Sequence, residues 1–152
     1  MSIIDSLIYD RTNEDLNIAT KCIEENKPFP SDNLRFSWDY RALNRTEEAM
    51  KYLNDMFVEL GYYRNMKFKY DWTNEEITPE DNERYIRNLK ILRDYLTMES
   101  DTPLAPNTIN GMSINRANDI EKILHDIDIV LERMTANFRY ANDVYSGEGY
   151  FS

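Results

Sequence analysis

The sequence predicts an all-α fold: about four helices in a bundle, the last of them long and coiled-coil-like, with one short extended connector near residues 65–70. Three observations carry this. Apolar residues recur at helical spacing in four segments, each segment follows a residue able to cap a helix, and only one stretch alternates with the period of a strand.

The first helix begins where Thr12 can cap the backbone amides and Asp15 stands three residues on, a weaker form of the capping box. Leu16, Ala19 and Cys22 or Ile23 give it one apolar face from about 13 to 26, and Pro28-Phe29-Pro30 ends it. Residues 28–39 read as loop. Asp39 then caps a helix over about 40–60, with Leu43, Ala49, Met50, Leu53, Phe57 and Leu60 at helical spacing and Gly61 as its stop. Met66-Lys67-Phe68-Lys69-Tyr70 alternates apolar and basic residues, but no second strand stands near to pair with it, so it is read as an extended connector.

Thr78-Pro79-Glu80-Asp81 is a specific helix start, combining a capping hydroxyl, proline at the first helical position and acids in the first turn. That helix runs to about Leu96 with Tyr85, Ile86, Leu89, Leu92 and Leu96 inward, and Pro103 and Pro106 lie in the loop that follows. After the Ser113 cap, Ala117, Ile120, Leu124, Ile127, Leu131, Met134, Phe138, Ala141 and Tyr145 follow one another at spacings of three and four, which is a coiled-coil seam. From Ile114 to Tyr145 such a helix is roughly 48 Å long at about 1.5 Å per residue, more than a compact domain of this size usually spans. Two readings stay open: some of the seam packs on another subunit or partner, or the chain's other helices fill all of it.

The 152 residues fit one domain, 1–152, ending in a short flexible aromatic tail at about 147–152. A hydrophobic fraction of 41% and an aromatic fraction of 12%, with eleven Tyr against four Gly and five Pro, are globular composition. The formal charge of −10 is spread along the chain and would repel both nucleic acid and anionic membrane. No apolar run approaches the roughly 18 residues needed to cross a bilayer, and Met1-Ser2-Ile3-Ile4-Asp5 lacks the layout of a signal peptide, so the chain is expected to fold in the cytosol.

Residues for chemistry are scarce. The single cysteine, Cys22, excludes an internal disulfide and reads as a buried structural thiol. His125, the single histidine, reads as a partly exposed side chain beside the seam, and a zinc site lacks the other nitrogen or sulfur ligands it would need. With 28 acids in 152 residues, pairs such as Glu47-Glu48 and Glu75-Glu76 belong on solvated faces. No calcium-hand order and no phosphate-cradling glycine loop are present. No catalytic, cofactor-binding or metal residue is therefore assigned, and the chain is expected to be no enzyme. One charge feature is sharper: Asp71, Glu75, Glu76, Glu80, Asp81 and Glu83 place six acids and no bases in thirteen residues. A DNA-mimic inhibitor would need such a stretch; so would a solvated loop leading into a helix N-terminus.

Taken in order, these features resemble a family of helical phage and prophage structural proteins of low-GC Gram-positive bacteria, from the tail, baseplate or fibre region. The residues that carry the resemblance are Asp10-Arg11-Thr12 with Asp15; Leu43-Asn44-Arg45 with Glu48, Ala49, Tyr52 and Leu53; Gly61-Tyr62; Asp71-Trp72; and Arg84-Tyr85 with Asn88, Leu92 and Arg93. Toward the C-terminus Ala117-Asn118, Ile120-Glu121, Ile123-Leu124, Asp126 and Tyr145-Ser146-Gly147-Glu148 complete the set. Trp38-Asp39-Tyr40 departs from the small-residue turn of that pattern. The resemblance implies a virion protein whose partners are other phage structural proteins, with self-association open, and it brings no catalytic residues. Phe138, Tyr145, Tyr150 and Phe151 are the candidate partner contacts, although Phe138 and Tyr145 serve equally as core. Besides the acidic DNA mimic, a third reading is a cell-wall glycan-binding module, for which Trp38 and Trp72 would be stacking platforms if exposed and core if buried.

Overall fold

A computed structural model describes residues 2–28, 35, 38–62 and 66–148 of the chain, with side chains as far as residue 137. It is all-helical: a 3-10 turn over Ile3–Ser6, then α1 (Asn13–Glu24), α2 (Tyr40–Glu59), α3 (Pro79–Asp94) and α4 (Ile114–Glu148), with no strand among the described residues.

The starts lie where the capping chemistry puts them. Thr12 and Asp15 form both halves of a capping box, Asp39 accepts from the Arg41 amide, Thr78 accepts from the Asp81 amide with Pro79 opening the helix, and Ser113 Oγ accepts from the Arg116 amide. Two ends differ in cause. Gly61, at φ +93°, lets the Tyr62 amide turn back to the Phe57 carbonyl and stops α2. Asn26, at φ +55°, does the same for α1, its neighbour Lys27 donating to the Cys22 carbonyl, so α1 closes before the prolines are reached.

The core lies among α2, α3 and α4, with the 3-10 turn packed across α2 and α4. α2 is central: Ala42, Leu43, Ala49, Met50, Leu53 and Phe57 are buried, and so are Arg45, Thr46, Glu47 and Asn54 between them. α3 contributes Tyr85, Ile86, Leu89 and Leu92, with Leu96 packed against the cluster from just beyond its end. Ile4 and Leu7 enter the same core from the N-terminal segment, a contact that periodicity does not reveal because the turn holding them is too short to show any.

The extended connector is where a strand period occurs without a strand, and its backbone is satisfied by side chains. Asn44 of α2 brackets Trp72, taking its N–H at 2.8 Å and giving to its carbonyl at 3.2 Å. Arg84 and Asn88 of α3 both donate to the Lys67 carbonyl. The two helices thus replace a partner strand.

α1 differs from the expectation of one buried face. Ala19 is 3% exposed, but Leu16 is 50% and Ile23 70% exposed, and Cys22 is only half-buried. The expectation of a buried Cys22 thiol is corrected: α1 stands outside the main helix pairings, and among its residues Ala19 alone is buried.

Candidate interaction surface

Two carboxylates that could have served chemistry lie inside the body, each closed by its own partners. Glu47 is fully buried on α2 and corrects the expectation of a solvated Glu47-Glu48 pair; Glu48 is exposed. Arg84 meets it with two parallel hydrogen bonds of 2.8 and 2.6 Å, and the Trp72 indole donates at 2.7 Å. Trp72 is 5% exposed with that indole N–H engaged, so it is core and offers no stacking platform. Glu121 on α4, also fully buried, takes Arg45 at 2.5 Å, Arg11 at 2.7 Å and the Ile8 N–H at 3.1 Å. Asn118 clasps the backbone of Arg11 through both its amide atoms. This network ties the N-terminal segment to α4 and joins it to α2, as a clamp would. Beside it the Tyr85 hydroxyl meets Thr46 Oγ1 at 2.7 Å, and burial pushes that phenol far above its ordinary pKa.

A cleft of about 220 Å³ opens between the loop after α3 and the middle of α4, lined by Met98, Thr102, Lys122, His125, Asp126 and Arg133 among others. His125 lies as expected, partly exposed, with the Tyr9 ring 4.5 Å from its own and the Tyr9 hydroxyl 3.2 Å from Nε2. Asp126 takes Thr102 at 2.5 Å and Lys122 at 2.9 Å, and its other oxygen stands 3.2 Å from His125 Nδ1. Burial works to raise the Asp126 pKa, but these hydrogen bonds outweigh it and hold the carboxyl below its ordinary value. Each polar group at the floor of the cleft thus already has a partner. Among the described residues no group of three or more His, Cys, Asp or Glu is placed to hold a metal ion, and no helix is long and apolar enough to cross a membrane.

Asp128 is the exception to this pattern of satisfied acids. It is 8% exposed, its Oδ1 is buried with no hydrogen-bond partner, and Glu132 stands one turn on. Burial first, then the charge of Glu132 and a side-chain hydrogen bond with it, and the charge of Asp5, against the opposing effect of His125, push its pKa up to about 6.

The distal stretch of α4 carries residues expected to contact a partner, and its described part differs from the rest of the helix. The N-terminal stretch of that helix is consumed by the body: Ala117, Ile120, Leu124, Ile127 and Leu131 are all buried within this one chain. Ile123, Glu121 and Asp128, which flank the seam, are buried too, so the buried face is the broad stripe of a bundle helix and not a two-helix seam. Up to Leu131 the seam therefore closes internally. Glu132, Arg133, Ala136 and Asn137 are exposed and Met134 is half-buried, while the helix itself continues to Glu148. That is roughly 25 Å of helix, at about 1.5 Å per residue, beyond the last residue that is fully buried among the described side chains.

Of the expected partner contacts, the side chains of Phe138 and Tyr145 and the whole of Tyr150 and Phe151 lie outside the described residues. Trp38 is half-buried, and the Arg11 guanidinium lies 5.8 Å from its ring centre. Sequence reasoning misses Glu47, Glu121 and Asp128 as interior acids, since an acid at a buried helical position is spelled like any other. Only the neighbouring Arg45 and the seam position next to Glu121 carry a hint.

Comparison with known proteins returns nothing: no family model, no curated protein and no solved structure matches the chain.

Proposed function

We propose that this protein is a non-enzymatic assembly module that works by packing its C-terminal helix against other protein surfaces. The observation that carries the reading is the run of α4 from Glu132 to Glu148, past Leu131, which is the last fully buried residue among the side chains described, with the coiled-coil spacing of Met134, Phe138, Ala141 and Tyr145 continuing along it in sequence. An isolated helix of that length is marginal in water and gains its stability from a packed apolar stripe. The interior acids support the same reading, because Glu47 and Glu121 are occupied in holding the bundle together.

Within that class we place the protein in a phage particle, in the tail, baseplate or fibre region, on the ordered residues from Asp10-Arg11-Thr12 to Tyr145-Ser146-Gly147-Glu148. The DNA-mimic alternative has less support: Lys69 pairs with Asp71 at 3.0 Å, and Arg84 and Arg87 stand near Asp81 and Glu83, so the acid-rich stretch is partly neutralised.

A chain ending at Asn137 tests the reading. It should keep the helical signal of the body and its unfolding midpoint, because it retains every buried side chain among the described residues, yet fail to enter the assembly. A truncated chain that assembles as well as the full one would overturn the proposal.

A further inference from the structure

We infer that the cleft at the N-terminal end of the bundle, where the starts of α2, α3 and α4 meet around Trp38 and Tyr40, binds a neutral carbohydrate ring. The inference stands apart from the assembly reading and uses α4 only at its start.

The topology makes the cleft. Glu47 early in α2 meets Arg84 early in α3, and Phe57 late in α2 meets Tyr95 at the end of α3, so the two helices run parallel. Arg45 near the start of α2 meets Glu121 in the first half of α4. The three starts therefore lie at one end of the body. Asp39, Ile77 and Met112, each at or beside the cap of one of these helices, line a common cleft of about 310 Å³. That is the small end of the roughly 300–1,000 Å³ typical of ligand pockets, and suits a single ring better than an extended chain.

The lining decides what kind of ring. Leu43 and Ile109 are buried, while Trp38 and Tyr40 pack against the core and remain partly open, which gives the cleft an apolar, aromatic floor. Its rim is polar and uncommitted. Asn74, Glu75 and Asn110 are exposed, and among the described residues no hydrogen bond or ion pair engages their side chains. The Trp38 indole N–H has no partner either. The other clefts differ: Asp126 and Lys122 are tied to each other beside His125, and between α1 and the start of α4 Arg11 is held by Glu121 and Arg35 by Asp10 and Asp15. A saturated ring with C–H bonds on its faces and hydroxyls around its edge matches an aromatic floor with a polar rim. Its face lies on the rings of Trp38 and Tyr40, and its neighbouring hydroxyls meet the paired donor and acceptor atoms of the two amides and the paired acceptors of the carboxylate.

Charge selects a neutral ligand. Three helix starts turn their positive dipole ends toward this end of the body, and the carboxylates of Asp39 and Glu75 stand in the same cleft. Asp39 is further tied to Arg41 at 2.8 Å. A phosphate or uronate would face those carboxylates, and an ammonium would face the helix ends, so neither sign is favoured over a polyol.

The test uses the full chain with its tryptophans labelled at the indole nitrogen, which gives one NMR signal for Trp38 and one for Trp72, assigned with Trp38→Phe. Glucose, galactose and N-acetylglucosamine are each raised through the millimolar range. At least one of them should move the Trp38 signal to saturation and leave the signal of Trp72, 5% exposed and bonded to Glu47, in place. Asn74→Ala with Asn110→Ala, two exposed loop positions, should weaken that binding on the order of tenfold at an unchanged unfolding midpoint. Glucosamine and glucuronate, which add a positive and a negative charge to the same ring, should bind no tighter than the neutral sugars. A Trp38 signal that stays in place with all three neutral sugars overturns the inference, as does binding that the double variant leaves unchanged. Tighter binding of choline or of adenosine than of any of the sugars also overturns it, in favour of a cation or a flat base on the same rings.

Discussion

The buried carboxylates hold this fold through charge pairs whose halves depend on each other. Glu47 is met by Arg84 and by the Trp72 indole, so Glu47→Ala leaves a guanidinium and a buried N–H unsatisfied. We expect a loss of roughly 3–5 kcal/mol, the usual cost of removing one partner of a buried pair, read as a fall in the urea midpoint, with Glu47→Gln losing less. A drop no larger than that of an exposed Glu48→Ala would contradict this account. Asp128 has the opposite sign. Its folded pKa of about 6 stands above the ordinary 3.8, so the protonated form favours the fold; that contribution is full below about 3.8 and lost as pH rises through about 6. Asp128→Asn should therefore be more stable than the parent at pH 8 by on the order of 1–2 kcal/mol, since one pKa unit is worth about 1.4 kcal/mol and some of it is screened. The gap should shrink toward pH 4, and paired denaturant titrations at the two pH values read it; a gap independent of pH would show that Asp128 is not the titrating group.

At the scale of elements, the seam decides where each helix finds its partner. Leu131 is fully enclosed by its own chain, so Leu131→Asp should unfold the monomer, at a cost on the order of 4 kcal/mol or more for a charge placed in the core, instead of merely dissociating an oligomer. Circular dichroism at a concentration where the parent is monomeric distinguishes the two outcomes. Helix starts are the most legible feature of the sequence, because capping is local: Thr12, Asp39, Thr78 and Ser113 each announce themselves within four residues. The apolar face of α1 misleads for a matching reason. Leu16, Ala19 and Ile23 have helical spacing, but whether a face is covered depends on chain returning from elsewhere, and Leu16 and Ile23 lie open. The seam of α4 is legible as a stripe but not as to its breadth, since the burial of Glu121 depends on Arg11, more than a hundred residues away.

For the whole molecule, the described residues form one closed body of helices, with α4 continuing beyond Leu131 to Glu148. α2 gathers α3, α4 and the N-terminal turn around itself, and the two ion networks fasten the segments that have no helix of their own. In the Trp72 pocket and the His125 cleft the described polar groups are tied to one another by hydrogen bonds. The candidate site is only partly legible in the sequence: the spacing of Phe138, Ala141 and Tyr145 points to α4, while the burial of that helix up to Leu131 has to come from the fold. The most direct test of the proposed virion role is quantitative mass spectrometry of phage particles purified from the cells that make this chain. The account predicts the protein at a fixed ratio to the major tail proteins, unchanged by repeated purification. Finding it in the lysate and absent from the particles would contradict it.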